Sequence, residues 1–201
     1  MKKIITADDF GYSKSVNLAI CMLLKNGLLS QASIMVNMPF FKHAVHLIKK
    51  YGLKNIGLHF NVTQGNAISD SNIEFKKDKY EFPYEDFIKN EFEAQVNLMK
   101  INGIEIHHID THHNAHLENS KIFDVIKQYG FRIRSSMSKT LDTSSDLSGI
   151  SSLCNECVDE FVVHPSISKK DLFNTELTDS RINDYKFLVS NSDIIKQIIE
   201  T

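Results

Sequence analysis

Short β-rich runs alternate with amphipathic helical stretches along most of the chain, and most of the helical stretches stop at a glycine. The pattern predicts a strand over 3–7, then a helix capped by Ser13 with Val16, Leu18, Ala19, Ile20, Met22, Leu23 and Leu24 as its apolar face and Asn26-Gly27 as its stop. A second strand is expected over 32–36, a helix over 40–51 closed by Gly52, and a third strand over 55–60. A helix over 82–100 ends at Asn102-Gly103, and a fourth strand leads into a histidine-rich stretch. Then come a helix over 117–129 closed by Gly130, a strand over 131–134, another over 161–164, and a closing helical segment over 184–189 and 193–199. Such alternation argues an α/β fold with parallel strands and right-handed crossovers, either open or closed into a barrel.

The bulk properties narrow what such a fold can serve. A chain of 201 residues suits one domain, 1–201, and no linker or repeat divides it. A net charge of −2 gives no electrostatic case for nucleic acid or for an anionic membrane surface. No run of apolar residues is long enough to span a bilayer, and the one at the N-terminus is too short for a signal peptide. A cytoplasmic protein is expected. Cys154 and Cys157 form a C-x-x-C without the second pair that a four-thiolate zinc site needs, so they are read as reduced thiols in a connecting segment, with a redox role as the alternative. Cys21 is read as a small buried hydrophobe in its helix.

Five of the nine histidines (His107, His108, His112, His113 and His116) fall within ten residues, around Asp110. Neutral imidazole is the commonest protein ligand for a divalent metal, and a His-rich tract is a metal-binding composition. Asp110 is placed to accept a hydrogen bond from a ring N–H and fix its tautomer. Ile104, Ile106 and Ile109 begin the stretch as a strand, so 110–116 falls at or past that strand's C-terminal end. One turn of helix would put His112 and His116 on a common face. The competing reading is a solvated polar loop.

Other reactive residues also fall at strand ends. Asp8-Asp9 follows the first strand, His59 ends the third, Arg134 ends the fifth, and His164 ends the strand over 161–164. In a parallel sheet these ends gather on one face, where sites are built. One carboxylate with two or three imidazoles binds a divalent ion and leaves a position for water. A second carboxylate can take the water's proton, and a further histidine can protonate a leaving group. Asp8-Asp9 also suits a turn or a helix N-cap, and the dipeptide alone does not order the two roles. His43 and His46 are read as surface residues of their helix. The polar stretch 62–79 reads as a lid or substrate-binding loop, and 135–160 as an aperiodic segment holding at most a degenerate strand.

Four stretches, Ala7-Asp-Asp-Phe-Gly11, Gly57-Leu-His-Phe60, Asp110-Thr-His-His-Asn-Ala-His116 and Val163-His-Pro165, resemble in order the motifs of the YdjC-like carbohydrate deacetylases. The likeness runs from residue 3 to about 188. It implies a distorted (β/α) barrel related to polysaccharide deacetylases, and a divalent metal, Mg²⁺ or Zn²⁺. It also implies hydrolysis of an N-acetyl group from an amino sugar with release of acetate. By the same resemblance Asp9, His59 and His112 hold the metal. Asp8 is the general base, His164 the general acid, Arg134 orients the base, and His116 is an additional ligand or a substrate contact. A homodimer is compatible with it.

The chain departs from the family pattern at Ser166, where a glycine is usual, and in short segments after Gly65 and over 135–160. It has no tryptophan to stack on a sugar, which leaves Phe10, Tyr12, Phe40 or Phe60. Two alternatives share the metal site: hydrolysis of another bond such as a phosphoester, or a protein that binds metal and sugar without turnover. Phosphoester chemistry favours two metals and more basic residues than Arg134 alone supplies.

Overall fold

The strand that carries the acidic pair runs through the middle of the sheet. A computed structural model describes residues 2–77, 82–84 and 86–199. In it, β1 (Ile4–Phe10) lies between β2 (Gln31–Ile34) and β8 (Glu160–Val163), and six of its seven residues are buried. Beyond β2 come β3 (Ile56–Phe60) and β6 (Ile109–Thr111); beyond β8 comes β7 (Lys139–Thr140). Every pairing in this six-stranded sheet is parallel. The strands curl into half a barrel with helices around it, the distorted barrel architecture that the resemblance implied.

The connections follow the local chemistry. α1 (Lys14–Lys25) starts where the Ser13 side chain accepts the Val16 N–H, and its inner face buries Val16, Ala19, Ile20 and Leu23. α2 (Phe41–Tyr51) stops at Gly52, whose φ of 61° returns its N–H to the Ile48 carbonyl. α3 (Phe87–Ile101) starts later than the expected 82, and residues 78–81 and 85 lie outside the described set. The polar stretch after β3 contains a small antiparallel hairpin, β4 (Gly65–Asn66) with β5 (Glu74–Phe75).

Four expectations are corrected. The strand over 131–134 reduces to a single bridge between Ile133 and Ile109, flanked by two backbone hydrogen bonds to Ile109. The helix over 117–129 is two helices, α4 (Ala115–Glu118) and α5 (Ser120–Lys127), because Asn119 is extended and caps α5 with its side chain. The segment 135–160 holds β7 and also α6 (Asp146–Asn155), which Ser145 caps. Its serine-rich sequence hides it, burying only Gly149 and Leu153. The closing helix begins at α7 (Thr178–Ser190), before α8 (Ser192–Ile198). The first turns of α7 carry no apolar period, since its buried residues include Arg181 and Asp184 beside Phe187 and Leu188.

Candidate metal centre

In a regular strand, neighbouring side chains point to opposite faces, so Asp8 and Asp9 could not both serve one site. The pairing of β1 with β2 runs Ala7 with Ala32 and then Phe10 with Ile34, so one extra residue sits on β1. That bulge, with Asp9 at φ 68°, re-aims the pair, and both carboxylates line the same cavity. Gly11 completes the turn. A Cβ there would stand 2.6 Å from the Met35 carbonyl oxygen at a φ of 102°.

His59 ends β3 and is paired in register with Asp110 on β6. Its Nδ1 lies 2.5 Å from Asp110 Oδ1, which leaves Nε2 facing the acidic pair, 3.4 Å from Asp9 Oδ1. Burial by itself would lower the pKa of His59, but Asp8 and Asp110 drive it up to about 10 with no cation in the site. Past the end of β6, His113 and Asn114 adopt left-handed backbone in a 3₁₀ turn (His112–Asn114). The turn points His112 Nδ1 at Asp9 Oδ1, 3.3 Å away, while its Nε2 meets Gln64 Oε1 at 3.0 Å. Burial lowers the pKa of His112, which favours the neutral, ligating form.

Three donor atoms therefore face one point: Asp9 Oδ1, His59 Nε2 and His112 Nδ1. Their separations are 3.3, 3.3 and 3.4 Å. Such an edge belongs to a tetrahedron with vertices about 2.0–2.1 Å from its centre, the usual reach of nitrogen and carboxylate ligands to Zn²⁺. Asp9 Oδ1 is buried and accepts no hydrogen bond among the described residues, an orphaned anionic oxygen that a cation would satisfy. Asp9 stays ionised: burial pushes its pKa up, but Arg181 and His112 hold it well below the usual range.

Arg134 joins three carboxylates beneath this triangle. It donates to both oxygens of Asp8 at 2.8 and 2.5 Å, to Asp110 Oδ2 at 2.5 Å, and from Nε to Glu160 Oε1 at 3.2 Å. Asp110 Oδ2 also accepts from Ser33 Oγ at 2.5 Å. Although burial opposes it, Arg134 and His59 keep Asp110 ionised far below the usual carboxylate range. His164 follows β8, with Nε2 3.9 Å from Asp8 Oδ2 and its side chain partly open to the cavity.

His116 does not share a helical face with His112, because the left-handed turn intervenes. Its Nδ1 is 2.7 Å from Thr111 Oγ1. Among the described residues, it belongs to neither potential donor group nor the cavity lining. His108 is buried against Ser33 Oγ at 3.0 Å, and burial brings its pKa down to about 4. Phe10, Tyr12 and Phe60 are all fully buried; of the four aromatic residues suggested for sugar stacking, only Tyr12 borders the cavity, its ring covered by Phe173.

Sequence reasoning missed Ser33, Gln64, Glu160, Arg181 and Asp184, all of which touch the site or its immediate supports. Only Gln64 left a local signal: Asn61 Oδ1 accepts the Thr63 and Gln64 N–H groups and builds the turn that presents it. The cavity has a volume of about 1130 Å³, lined largely by polar side chains from the strand ends, the β4–β5 hairpin, the β7–α6 connection and the segment entering α7.

A parallel half-barrel with a buried aspartate and two imidazoles at its strand ends is an α/β protein with a group of side chains able to hold a metal ion. The same overall fold occurs in the crystal structure of a "putative cellobiose-phosphate cleavage protein" from Enterococcus faecalis V583, with a TM-score of 0.75 at 21% identity over 100% of this chain and 97% of that one. It also occurs in a Bacillus subtilis peptidoglycan deacetylase, with a TM-score of 0.53 at 13% identity over 99% and 86%. The family model described as YdjC-like protein matches residues 2–156, and the chain belongs to that family. Carbohydrate deacetylases from Brevibacillus brevis and Geobacillus stearothermophilus are each 35% identical to it, over 136 and 140 residues. Those matches cover 63% and 65% of this chain and 55% and 56% of the relatives, so the chain spans little more than half their length.

Proposed function

We propose that the protein is a metal-dependent hydrolase that removes the N-acetyl group from an N-acetylated amino sugar or oligosaccharide and releases acetate. The observation that carries this reading is the donor triangle of Asp9 Oδ1, His59 Nε2 and His112 Nδ1, with its orphaned oxygen, on the wall of a large polar cavity. The names of the curated relatives supply the substrate class.

Asp9, His59 and His112 would hold the ion. Two imidazoles and one carboxylate suit Zn²⁺ better than Mg²⁺, which prefers oxygen donors and near-octahedral geometry. When bound, the ion would polarise the acetyl carbonyl and acidify water. Asp110 keeps the His59 proton on Nδ1, so that Nε2 presents its lone pair. Asp8 would act as general base, held in orientation by its two hydrogen bonds from Arg134. His164, on the cavity wall across from Asp8, would deliver a proton to the departing amine.

Arg134 also weighs against a two-ion phosphoesterase. The second donor group, Asp8, His59 and Asp110, has its carboxylates engaged by the Arg134 guanidinium, and His59 Nδ1 is occupied by Asp110. A binder without turnover would not need Asp8 and His164 facing the same space.

The test is acetate release from N-acetylglucosamine and chitobiose by metal-stripped protein supplied with Zn²⁺, Co²⁺, Mg²⁺ or nothing. Metal-dependent acetate that disappears in His112→Ala supports the reading. No acetate with any ion, from protein that still binds one tightly, overturns it.

A further inference from the structure

α7 lies beyond residues 2–156, the stretch matched by the family model, yet it reaches the middle of the site. Among the described residues, Arg181 is the largest of the fully buried side chains, at 2% exposed. Its Nη2 donates to Asp9 Oδ2 at 2.5 Å, its guanidinium carbon lies 5.1 Å from the Tyr12 ring centroid, and among the described residues its Nε and Nη1 have no hydrogen-bond partner. Its own carbonyl accepts the Ser166 N–H at 2.9 Å. One turn further along the same face, Asp184 accepts the backbone N–H of His164 at 2.7 Å and the Thr143 hydroxyl at 2.5 Å. One helix thus fastens both the acidic bulge and the turn that carries His164.

An arginine buried for stability alone would have its donors satisfied, because desolvating a guanidinium costs more than one ion pair returns. Among the described residues, Arg181 leaves two of its three nitrogens without a hydrogen-bond partner and uses the third on one oxygen of one aspartate. Asp9 is thereby divided: Oδ2 belongs to Arg181, and Oδ1 faces His59 and His112. Without that bond, both oxygens could turn on the same ion. We propose that Arg181 is a positioning residue that makes Asp9 a one-oxygen metal ligand, keeping the ion's remaining coordination free for water and substrate. This rests on the metal reading of the Asp9, His59 and His112 group.

The test loads Co²⁺ into the wild type, Arg181→Met and Arg181→Lys, and records visible absorption, which is intense at four-coordinate sites and weak at higher coordination. The wild type is expected to give the intense spectrum. Arg181→Met is expected to lose intensity as the freed oxygen chelates, and Arg181→Lys to recover it. A wild-type spectrum in folded Arg181→Met overturns the proposal. The infrared difference spectrum of the wild-type protein on adding Zn²⁺ keeps the test decisive should the methionine variant not fold. Bands of a one-oxygen carboxylate ligand are expected, and bands of a two-oxygen chelate overturn the proposal. If the wild type takes up neither ion, the metal reading itself fails, an outcome distinct from wild-type uptake with unchanged spectra.

Discussion

His59 and Asp110 sit opposite each other on adjacent parallel strands, and the register that pairs them places Nδ1 2.5 Å from Oδ1. The contact fixes which nitrogen of His59 faces the acidic pair. Asp110→Asn removes the charge that holds this tautomer and leaves Arg134 with one carboxylate fewer. Metal affinity is expected to fall about 10- to 100-fold, the usual effect of losing such a partner. A competition titration with a chromophoric chelator measures it; an unchanged Kd would show that the β-strand register, not the carboxylate, orients the ring.

Asp8 and Asp110 together set a pH dependence at His59. His59 binds its proton up to about pH 10 in the absence of a cation, so an incoming ion must displace that proton. Apparent affinity is expected to rise about tenfold per pH unit between pH 7 and 9, with about one proton released per ion. Titration calorimetry in buffers of different ionisation enthalpy counts that proton. In the metal-free protein the sign is reversed. The raised folded value stabilises the fold fully below the unfolded pKa of about 6.5, and this contribution is lost as pH rises through about 10.

Arg134 has its side chain 2% exposed among Asp8, Asp110 and Glu160. Arg134→Met leaves three buried carboxylates without their common cation. A loss of about 3–5 kcal/mol is expected, read from urea unfolding of the metal-free protein, because breaking a buried pair strands its charges. Added metal recovers only part of that loss, since Asp9 lies outside the Arg134 cluster.

Gly57 is forced by a neighbour rather than by its backbone. A Cβ there would stand 2.5 Å from two atoms of the His108 ring, which bonds to Ser33, and Ser33 in turn bonds to Asp110. Gly57→Ala is expected to cost about 1–3 kcal/mol as overpacking. Thermal melting checks it, at about 2–4 °C per kcal/mol for a domain of this size. A variant as stable as the wild type would mean that the His108 ring can move aside.

The residues that were legible share one property: each sits at the end of a strand with a clear local pattern. Asp8, Asp9, His59, Asp110, His112 and His164 fall where β1, β3, β6 and β8 end or just beyond, so locating the strand ends sufficed to bring them to one edge of the sheet, while the β1 bulge turned both Asp8 and Asp9 to the cavity. Arg134 was expected at the end of a strand that proved to be a single bridge, and its side chain lies among Asp8, Asp110 and Glu160. The helix imagined through His112 and His116 failed because His113 and Asn114 take left-handed backbone, a choice that periodicity does not encode.

Sequence by itself determined the parallel α/β order, the strand ends that carry chemistry, and the kinds of donor gathered there. These follow from hydrophobic period and residue type, both local properties. Only the tertiary structure decided which oxygen and which nitrogen face the centre. The β1 bulge, the Asp110–His59 register, the Gln64 contact and the reach of Arg181 from α7 are relations between segments far apart in the chain. A buried charge such as Arg181 carries no apolar period. Its position is set by the anion it neutralises, and that anion is 172 residues away.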